Sequence, residues 1–108
     1  MGVAAPLEAS EFAQKVIQST KPVLVDFWAA WCGPCIALGP TVDAVAAEYA
    51  GRVEVYKVDV EANNDLAVEH NVMQIPLLIL FKNGKEVERL LGVSPKETIA
   101  RILDKALI

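Results

Sequence analysis

Residues 23–35 read VLVDFWAAWCGPC, and this stretch is the most informative part of the chain. Its first six residues form a nearly continuous apolar run, which is typical of a strand covered on both faces. Residues 34–50 then have the apolar spacing of a helix, and Pro40 predicts a kink in it because proline lacks a backbone donor. The two cysteines therefore lie where a buried strand passes into a helix.

The spacing of Cys32 and Cys35 indicates thiol–disulfide chemistry. Residues i and i+3 are neighbours on a helix, so the two sulfurs can come within bonding distance. Cys32 stands at the start of the predicted helix, where free backbone N–H groups and the helix dipole favour an anion. We therefore expect a lowered thiol pKa and a reactive thiolate at Cys32.

A structural role and a metal-binding role are the alternatives to redox chemistry for the cysteine pair. A purely structural disulfide would close a loop of four residues and stabilise the fold by only about 2 kcal/mol. Half of a zinc site would need further ligands, and the sequence offers only the distant His70. A zinc site shared between subunits is not excluded by the sequence, and His70 itself is predicted to be a surface residue near a helix end.

Asp26 is a second candidate functional residue because it interrupts an apolar strand. A buried carboxyl there would have a raised pKa and could exchange a proton with the second thiol. The alternative is a strand-edge aspartate that faces water. Lys57, in the next predicted strand, is a candidate partner of Asp26, although its sequence context alone favours an ordinary solvated lysine. Trp28 is predicted in the core and Trp31 at the surface.

The other segments alternate between helix and strand patterns. They predict a possible strand near 3–5, a helix over 7–20 with Ser10 as a possible cap, strands over 53–60, 77–81 and 86–91, and a helix over 62–70. A final helix is predicted to be capped by Ser94 and to run to about 107. Gly51 is expected to end the helix of residues 34–50, and the Asn83-Gly84 pair predicts a hairpin turn. This order predicts one α/β domain over residues 1–108, with a central mixed sheet flanked by helices on both faces.

Composition limits the classes of function. The chain has 108 residues, of which 54% are hydrophobic and 22% charged, as in a globular protein. Its net charge of -4 opposes binding to nucleic acid. No apolar run is long enough to span a bilayer, so no membrane association is expected. The N-terminus lacks the pattern of a secretory signal, which predicts a cytoplasmic protein, although a mature form without its leader would look the same.

The order of motifs along the chain resembles the thioredoxin family over almost its whole length. The residues that carry the resemblance are VDFW at 25–28, WCGPC at 31–35, Pro40, Lys57, Asp59, Ile75-Pro76, FKNG at 81–84 and Gly92. The resemblance implies the thioredoxin fold and a protein-disulfide reductase that works by dithiol exchange. It also implies a monomer without a bound cofactor, which reduces disulfide-containing proteins and is recharged with NADPH by a thioredoxin reductase.

The resemblance also implies a role for each site residue. Cys32 would be the exposed nucleophile and Cys35 the buried resolving thiol, with Asp26 as acid/base assisted by Lys57. Pro76 would be a cis-proline facing the cysteines. The backbone of the residue before it would pair with an extended substrate, on an apolar surface made by Trp31, Gly33, Pro34, Ile75 and Gly92.

Three positions depart from the family pattern and border the expected site. Ile36 replaces a usual Lys or Arg, Leu77 replaces a usual Thr, and Met73-Gln74 replaces a pair that commonly includes Gly. These changes leave open which reductase and substrates are recognised. Ile36 and Leu77 slightly favour a rival class, a non-catalytic binding module that uses an apolar surface around Trp31, Ile36 and Pro76. A third class, an oxidase or isomerase on the same fold, would differ in redox potential rather than in particular residues.

Overall fold

The computed structural model describes residues 3–108, which form five strands and three α-helices. The strands are β1 (Ala5–Pro6), β2 (Val23–Trp28), β3 (Glu54–Asp59), β4 (Leu77–Lys82) and β5 (Lys85–Leu91). The α-helices are α1 (Gly33–Glu48), α2 (Asn64–Glu69) and α3 (Lys96–Ala106). No helix in the described part of the chain is long and apolar enough to cross a membrane.

The five strands form one mixed sheet in the order β1-β3-β2-β4-β5. Strand β2 lies at its centre, parallel to β3 and antiparallel to β4. Parallel neighbours need a crossover, and α1 supplies it between β2 and β3. The predicted fold class, a mixed sheet of the thioredoxin type, is confirmed.

Both faces of the sheet carry an apolar core. Strand side chains alternate between faces, so Leu24 and Leu78 pack with α1 and α3, while Val25 and Phe27 face the other way. On that second face they meet the N-terminal helical turns and Leu66 of α2. This arrangement accounts for the continuous apolar strands, because each residue of β2 lies against one layer of helices or the other.

The helix predicted over residues 7–20 is replaced by two short, irregular turns. A 3₁₀ turn covers Ala9–Glu11 and a π-helical turn covers Ala13–Ile17. The predicted cap Ser10 is wrong, because Glu8 precedes the first turn and its backbone N–H donates to the Glu11 carboxylate at 3.0 Å. The N-cap residue is therefore Glu8, two residues earlier than predicted.

Other helix and strand ends also differ from the predictions. The cap of α3 is Pro95 in an extended conformation, not Ser94, because the Pro95 carbonyl accepts the first helical hydrogen bond from the Thr98 N–H at 3.0 Å. Helix α1 ends at Glu48, before the Gly51 turn. The first strand is β1, slightly later than residues 3–5, where its backbone reaches β3.

The predicted hairpin joins β4 and β5. Asn83 and Gly84 have φ angles of 55° and 78°, the two positive values that a tight turn of the primed type requires. This turn sets the register of β5 at the edge of the sheet. One β-bulge interrupts that register between Leu80 and Phe81.

Candidate active site

The two cysteines are joined by a disulfide at the N-terminus of α1. Cys32 is the N-cap of the helix, and its Sγ accepts a hydrogen bond from the Cys35 N–H at 3.2 Å. The two Cα atoms lie 5.2 Å apart, within the usual range for a disulfide. Pro34 occupies the first turn, where the missing backbone donor costs nothing. The predicted pairing at a strand-to-helix junction is therefore present.

Cys32 is less accessible than predicted in this disulfide form. Only 6% of the residue is exposed, against 3% for Cys35. The reason is that Ala29 and Ile75 pack around the disulfide, and the Ile75 carbonyl oxygen lies 3.9 Å from the Cys32 Sγ. Cys32, which was predicted to be the exposed nucleophile, is thus almost fully buried and reaches the surface only in a depression.

That depression is an open groove of about 530 Å³, here called the outer groove. It brings together four residues predicted to bind substrate with one cysteine and two loop residues: Trp31, Cys32, Gly33, Pro34, Met73, Gln74 and Ile75. Trp31 is 67% exposed, and its Nε1–H donates to the Glu61 carboxylate at 2.6 Å, which fixes the indole at the rim. The outer groove therefore presents an apolar wall beside Cys32.

Pro76 and Gly92, two further predicted site residues, are not among the residues that line this groove. The Ile75–Pro76 peptide bond is cis, as the family resemblance implied. Pro76 is buried, and its carbonyl accepts a hydrogen bond from the Gly92 N–H at 2.9 Å. Gly92 has a φ of 87°, a conformation that L side chains rarely adopt. This hydrogen bond attaches the chain directly after Ile75 to the end of β5.

Cys35 faces a different space, a small cavity of about 100 Å³ here called the inner cavity. Its lining combines the second cysteine with three charged residues and five others: Ala4, Asp26, Trp28, Cys35, Ile36, Gly39, Val42, Asp43 and Lys57. The two cysteines are thus divided between two environments. One is an open apolar groove, and the other is a confined space with ionisable groups.

Asp26 is a buried carboxyl, and the water-facing alternative is wrong. The residue is only 4% exposed. Its pKa is raised from the ordinary 3.8 to about 7: burial is the main cause, the positive charge of Lys57 partly offsets it, and the negative charge of Asp43 adds to it. An acid with a pKa near neutrality can both release and accept a proton at physiological pH.

Lys57 lies directly opposite Asp26 in the pairing of β2 with β3. It is half-buried, and its Nζ lies 4.9 Å from the centre of the Trp28 ring, which is also half-buried. A cation over an aromatic face is stabilised by the ring electrons. The ammonium group is thereby kept at the inner cavity, which the solvated-lysine interpretation did not predict.

His70 differs from its prediction in one respect. It follows the end of α2, as expected, but it is half-buried, and its ring packs against the core residues Phe12 and Phe81, with centroids 4.9 and 5.7 Å away. An isolated histidine gave no signal of this, because the aromatic residues that surround it come from distant segments. Within residues 3–108 no group of three His, Cys, Asp or Glu side chains is placed to hold a metal ion.

Sequence reasoning missed Asp43, although a signal existed. Cys35, Gly39 and Asp43 follow one another at four-residue spacing, which puts them on one side of α1. The Asp43 Oδ1 accepts a hydrogen bond from the Ala4 N–H at 3.0 Å. Asp43 thus both faces Asp26 and attaches the N-terminal segment beside the inner cavity.

Comparison with known proteins agrees with this geometry. The family model for thioredoxin matches residues 3–105. Thioredoxin 1 of Synechococcus elongatus is 45% identical over 107 residues, covering 99% of this chain and 100% of that protein. The thioredoxin of Porphyra purpurea is 44% identical over 105 residues, covering 97% of each. The chain belongs to the thioredoxin family. A thioredoxin of Staphylococcus epidermidis is 44% identical over 98 residues, covering 91% of this chain and 92% of that protein.

Membership of this family and the Cys32–Cys35 disulfide together establish the activity. The protein is a thiol–disulfide oxidoreductase that reduces protein disulfides by exchange through these two cysteines. A thiolate attacks one sulfur of a disulfide, and the second thiol resolves the resulting mixed disulfide. The pair of cysteines in this thioredoxin-family chain is therefore the reacting centre.

The three departures from the family pattern have different surroundings. Met73 is 88% exposed on the outer groove, and Ile36 is exposed beside the inner cavity. Leu77 is buried in the core and adjoins Met73 and Gln74 in a separate surface depression. Two of the three changes thus add accessible apolar surface near the cysteines.

Proposed function

We propose that Cys32 is the attacking thiolate and Cys35 the resolving thiol of a protein-disulfide reductase. The division of the pair between the outer groove and the inner cavity is the observation that carries this assignment. Only Cys32 lines the groove into which a protein substrate can enter. Its thiolate attacks one sulfur of the substrate disulfide, an S–S bond forms between Cys32 and the substrate, and the other substrate sulfur leaves as a thiolate.

The second step uses the inner cavity. The Cys35 thiol gives its proton to the Asp26 carboxylate, and the Cys35 thiolate then attacks the Cys32 sulfur. The Cys32–Cys35 bond forms while the Cys32–substrate bond breaks, and the substrate leaves as a second thiolate. The protein pair is oxidised by two electrons, the substrate is reduced by two electrons, and each substrate thiolate takes up one proton. Lys57 holds the proton-accepting carboxylate in its charged form by opposite charge.

Substrate binding would use the outer groove and the chain at its edge. An extended segment beside the substrate disulfide would pair with the backbone of Ile75, in the manner of an added strand. Trp31, Gly33 and Pro34 supply an apolar wall on the other side. The hydrogen bond between Gly92 and Pro76 would hold the chain next to Ile75 in place for this pairing.

The oxidised chain must be reduced again before another turnover. We assign this role to a flavin-dependent thioredoxin reductase that supplies two electrons from NADPH, which makes the chain an electron carrier in cell redox homeostasis. Such a supply belongs to a reducing compartment, so we place the protein in the cytoplasm. We further propose a single domain over residues 1–108 that acts as a monomer.

A trapping experiment tests the roles of the two cysteines. The reduced Cys35→Ser variant is mixed with a disulfide-bonded peptide and quenched with acid, and covalent adducts are counted by mass spectrometry. We expect a mixed disulfide with the peptide at Cys32, because no resolving thiol is left. The Cys32→Ser variant is the matched control and should form far less adduct. Equal adduct formation by both variants would overturn the assignment, and more adduct with Cys32→Ser would reverse it.

The same peptide separates the reductase from its rivals. A Cys32→Ser/Cys35→Ser double variant that still retains the peptide with unchanged affinity would support a binding module. Equilibration of the wild-type pair with dithiothreitol and glutathione distinguishes the catalytic classes. A reducing equilibrium supports a reductase, and an oxidising one supports an oxidase or isomerase.

A further inference from the structure

Arg89 of β5 joins three parts of the fold with one side chain. Its Nε and Nη2 donate to the two carboxylate oxygens of Glu86, each at 2.8 Å. Nη2 also donates to the His70 carbonyl at 2.8 Å, and Nη1 donates to the Asn71 carbonyl at 3.2 Å. The planar guanidinium is suited to this, because its donors point in fixed directions within one plane.

The β-bulge explains how Glu86 can brace Arg89. Residues three apart in a regular strand point to opposite faces of the sheet. Here Arg89 lies opposite Ile79 and Glu86 lies opposite Phe81, so Val87 is the extra residue of the bulge. Ile79 and Phe81 share a face, and Arg89 and Glu86 therefore share it too.

The two carbonyls that Arg89 binds belong to the end of α2 and the start of the next loop. His70 is the C-cap of α2, where unpaired carbonyls and the helix dipole favour a cation. Asn71 follows with a φ of 56°, a left-handed conformation that turns the chain away from the helix. Arg89 thus binds the carbonyls on both sides of this turn.

The loop beyond the turn carries the substrate-facing residues. The Val72 N–H donates to the Ala67 carbonyl at 2.9 Å, and at the other end the Gly92 N–H donates to the Pro76 carbonyl at 2.9 Å. Between these two attachments lie residues 73–75, which form one wall of the outer groove. The conformation of this wall depends on where its two ends are held.

We propose that Arg89 is a positioning residue for substrate binding: braced by Glu86, it fixes the end of α2 and the Asn71 turn so that the Ile75 backbone faces Cys32. The proposal rests on the proposed pairing of substrate with Ile75. It assigns Arg89 no contact with the reacting sulfurs. Loss of the guanidinium should therefore weaken binding of an extended substrate without changing the chemistry of the cysteine pair.

The test compares a long and a short disulfide substrate. Reduced wild type and the Arg89→Gln variant are each mixed with excess disulfide-bonded peptide, and the single-turnover rate is measured against peptide concentration. We expect the half-saturating concentration to rise about fivefold in Arg89→Gln, which corresponds to about 1 kcal/mol of lost binding. The limiting rate, the rate with bis(2-hydroxyethyl) disulfide and the equilibrium with glutathione should stay at wild-type values.

Two further variants make the result specific. Arg101→Gln removes the same charge from an exposed position on α3 and should leave half-saturation unchanged. Glu86→Gln keeps Arg89 but removes its charged brace, so it should give a smaller change in the same direction. Unchanged half-saturation in Arg89→Gln, or an equal loss with the short disulfide, would overturn the proposal. Failure of wild type to reduce the peptide at all would instead count against the proposed function.

Discussion

At the scale of single residues, the buried Asp26 carboxyl makes stability depend on pH. Its pKa is about 7 in the folded chain against an ordinary value of 3.8. Between these two values the folded state keeps a proton that the unfolded state releases, so the free energy of unfolding falls as pH rises. The total loss is at most about 4 kcal/mol, and above the folded pKa no further loss occurs because both states are ionised.

Replacing Asp26 with Asn should remove this dependence. We expect Asp26→Asn to be more stable than wild type, by a margin that grows from pH 4 to pH 7 and is constant above about pH 8. The measurement is urea unfolding of the oxidised proteins at several pH values. Asp65→Asn, at an exposed position of α2, is the control and should show no growing margin. A margin independent of pH would mean that Asp26 does not titrate in this range.

At the scale of single elements, the β4–β5 turn depends on Gly84. Its φ of 78° disfavours any side chain, and a Cβ there would lie only 2.8 Å from the Ile17 carbonyl oxygen. We expect Gly84→Ala to lower the free energy of unfolding by about 2 kcal/mol, measured by urea denaturation. The turn packs against the N-terminal helical segment, so the loss combines backbone strain with a displaced neighbour.

A second glycine provides the control for that replacement. Gly39 lies within α1, and a Cβ there would meet no other heavy atom of the described chain within 4 Å, apart from its own helix backbone and neighbours. Gly39→Ala should therefore leave stability unchanged or raise it by up to about 1 kcal/mol. A similar loss in both variants would show that the turn geometry is not the cause.

The elements also separate what the sequence can predict from what it cannot. Strands β2 and β4 can be predicted because burial of both faces gives a continuous apolar run, and the hairpin can be predicted from two turn residues. The N-terminal turns cannot be predicted in this way. Their apolar spacing is helical, but Phe12 and Val16 must reach one particular core layer, and that tertiary demand distorts the local hydrogen bonding.

The site shows the same division. The Cys32–Cys35 pair and Asp26 follow from local sequence, because spacing and an interrupted apolar run are visible along the chain. The role of Arg89, by contrast, cannot be predicted from the sequence. A regular strand would place Glu86 and Arg89 on opposite faces, and only the bulge, a feature of the paired sheet, brings them together.

At the scale of the whole molecule, the central strand links the reacting centre to both cores. Asp26 points into the inner cavity from β2, while its neighbours Val25 and Phe27 pack in the opposite core layer. The disulfide stands at the end of the same strand, at the N-terminus of α1. The redox-active pair therefore lies next to the central strand β2, of which every residue except Trp28 is buried.

Folding and oxidation should consequently be linked. Closing the four-residue Cys32–Cys35 loop removes chain entropy from the unfolded state, so we expect the oxidised protein to be more stable than the reduced protein by about 2 kcal/mol. By the same thermodynamic cycle, the folded pair should be more reducing than the unfolded pair by about 40 mV.

Urea unfolding of the oxidised and reduced proteins measures the difference in stability. Glutathione equilibria with and without urea measure the difference in reduction potential. The Cys32→Ser/Cys35→Ser variant should have the same free energy of unfolding as the reduced protein, and added reductant should not change it. A reduced protein as stable as the oxidised one would mean that contacts of the free thiols offset the whole loop-closure effect.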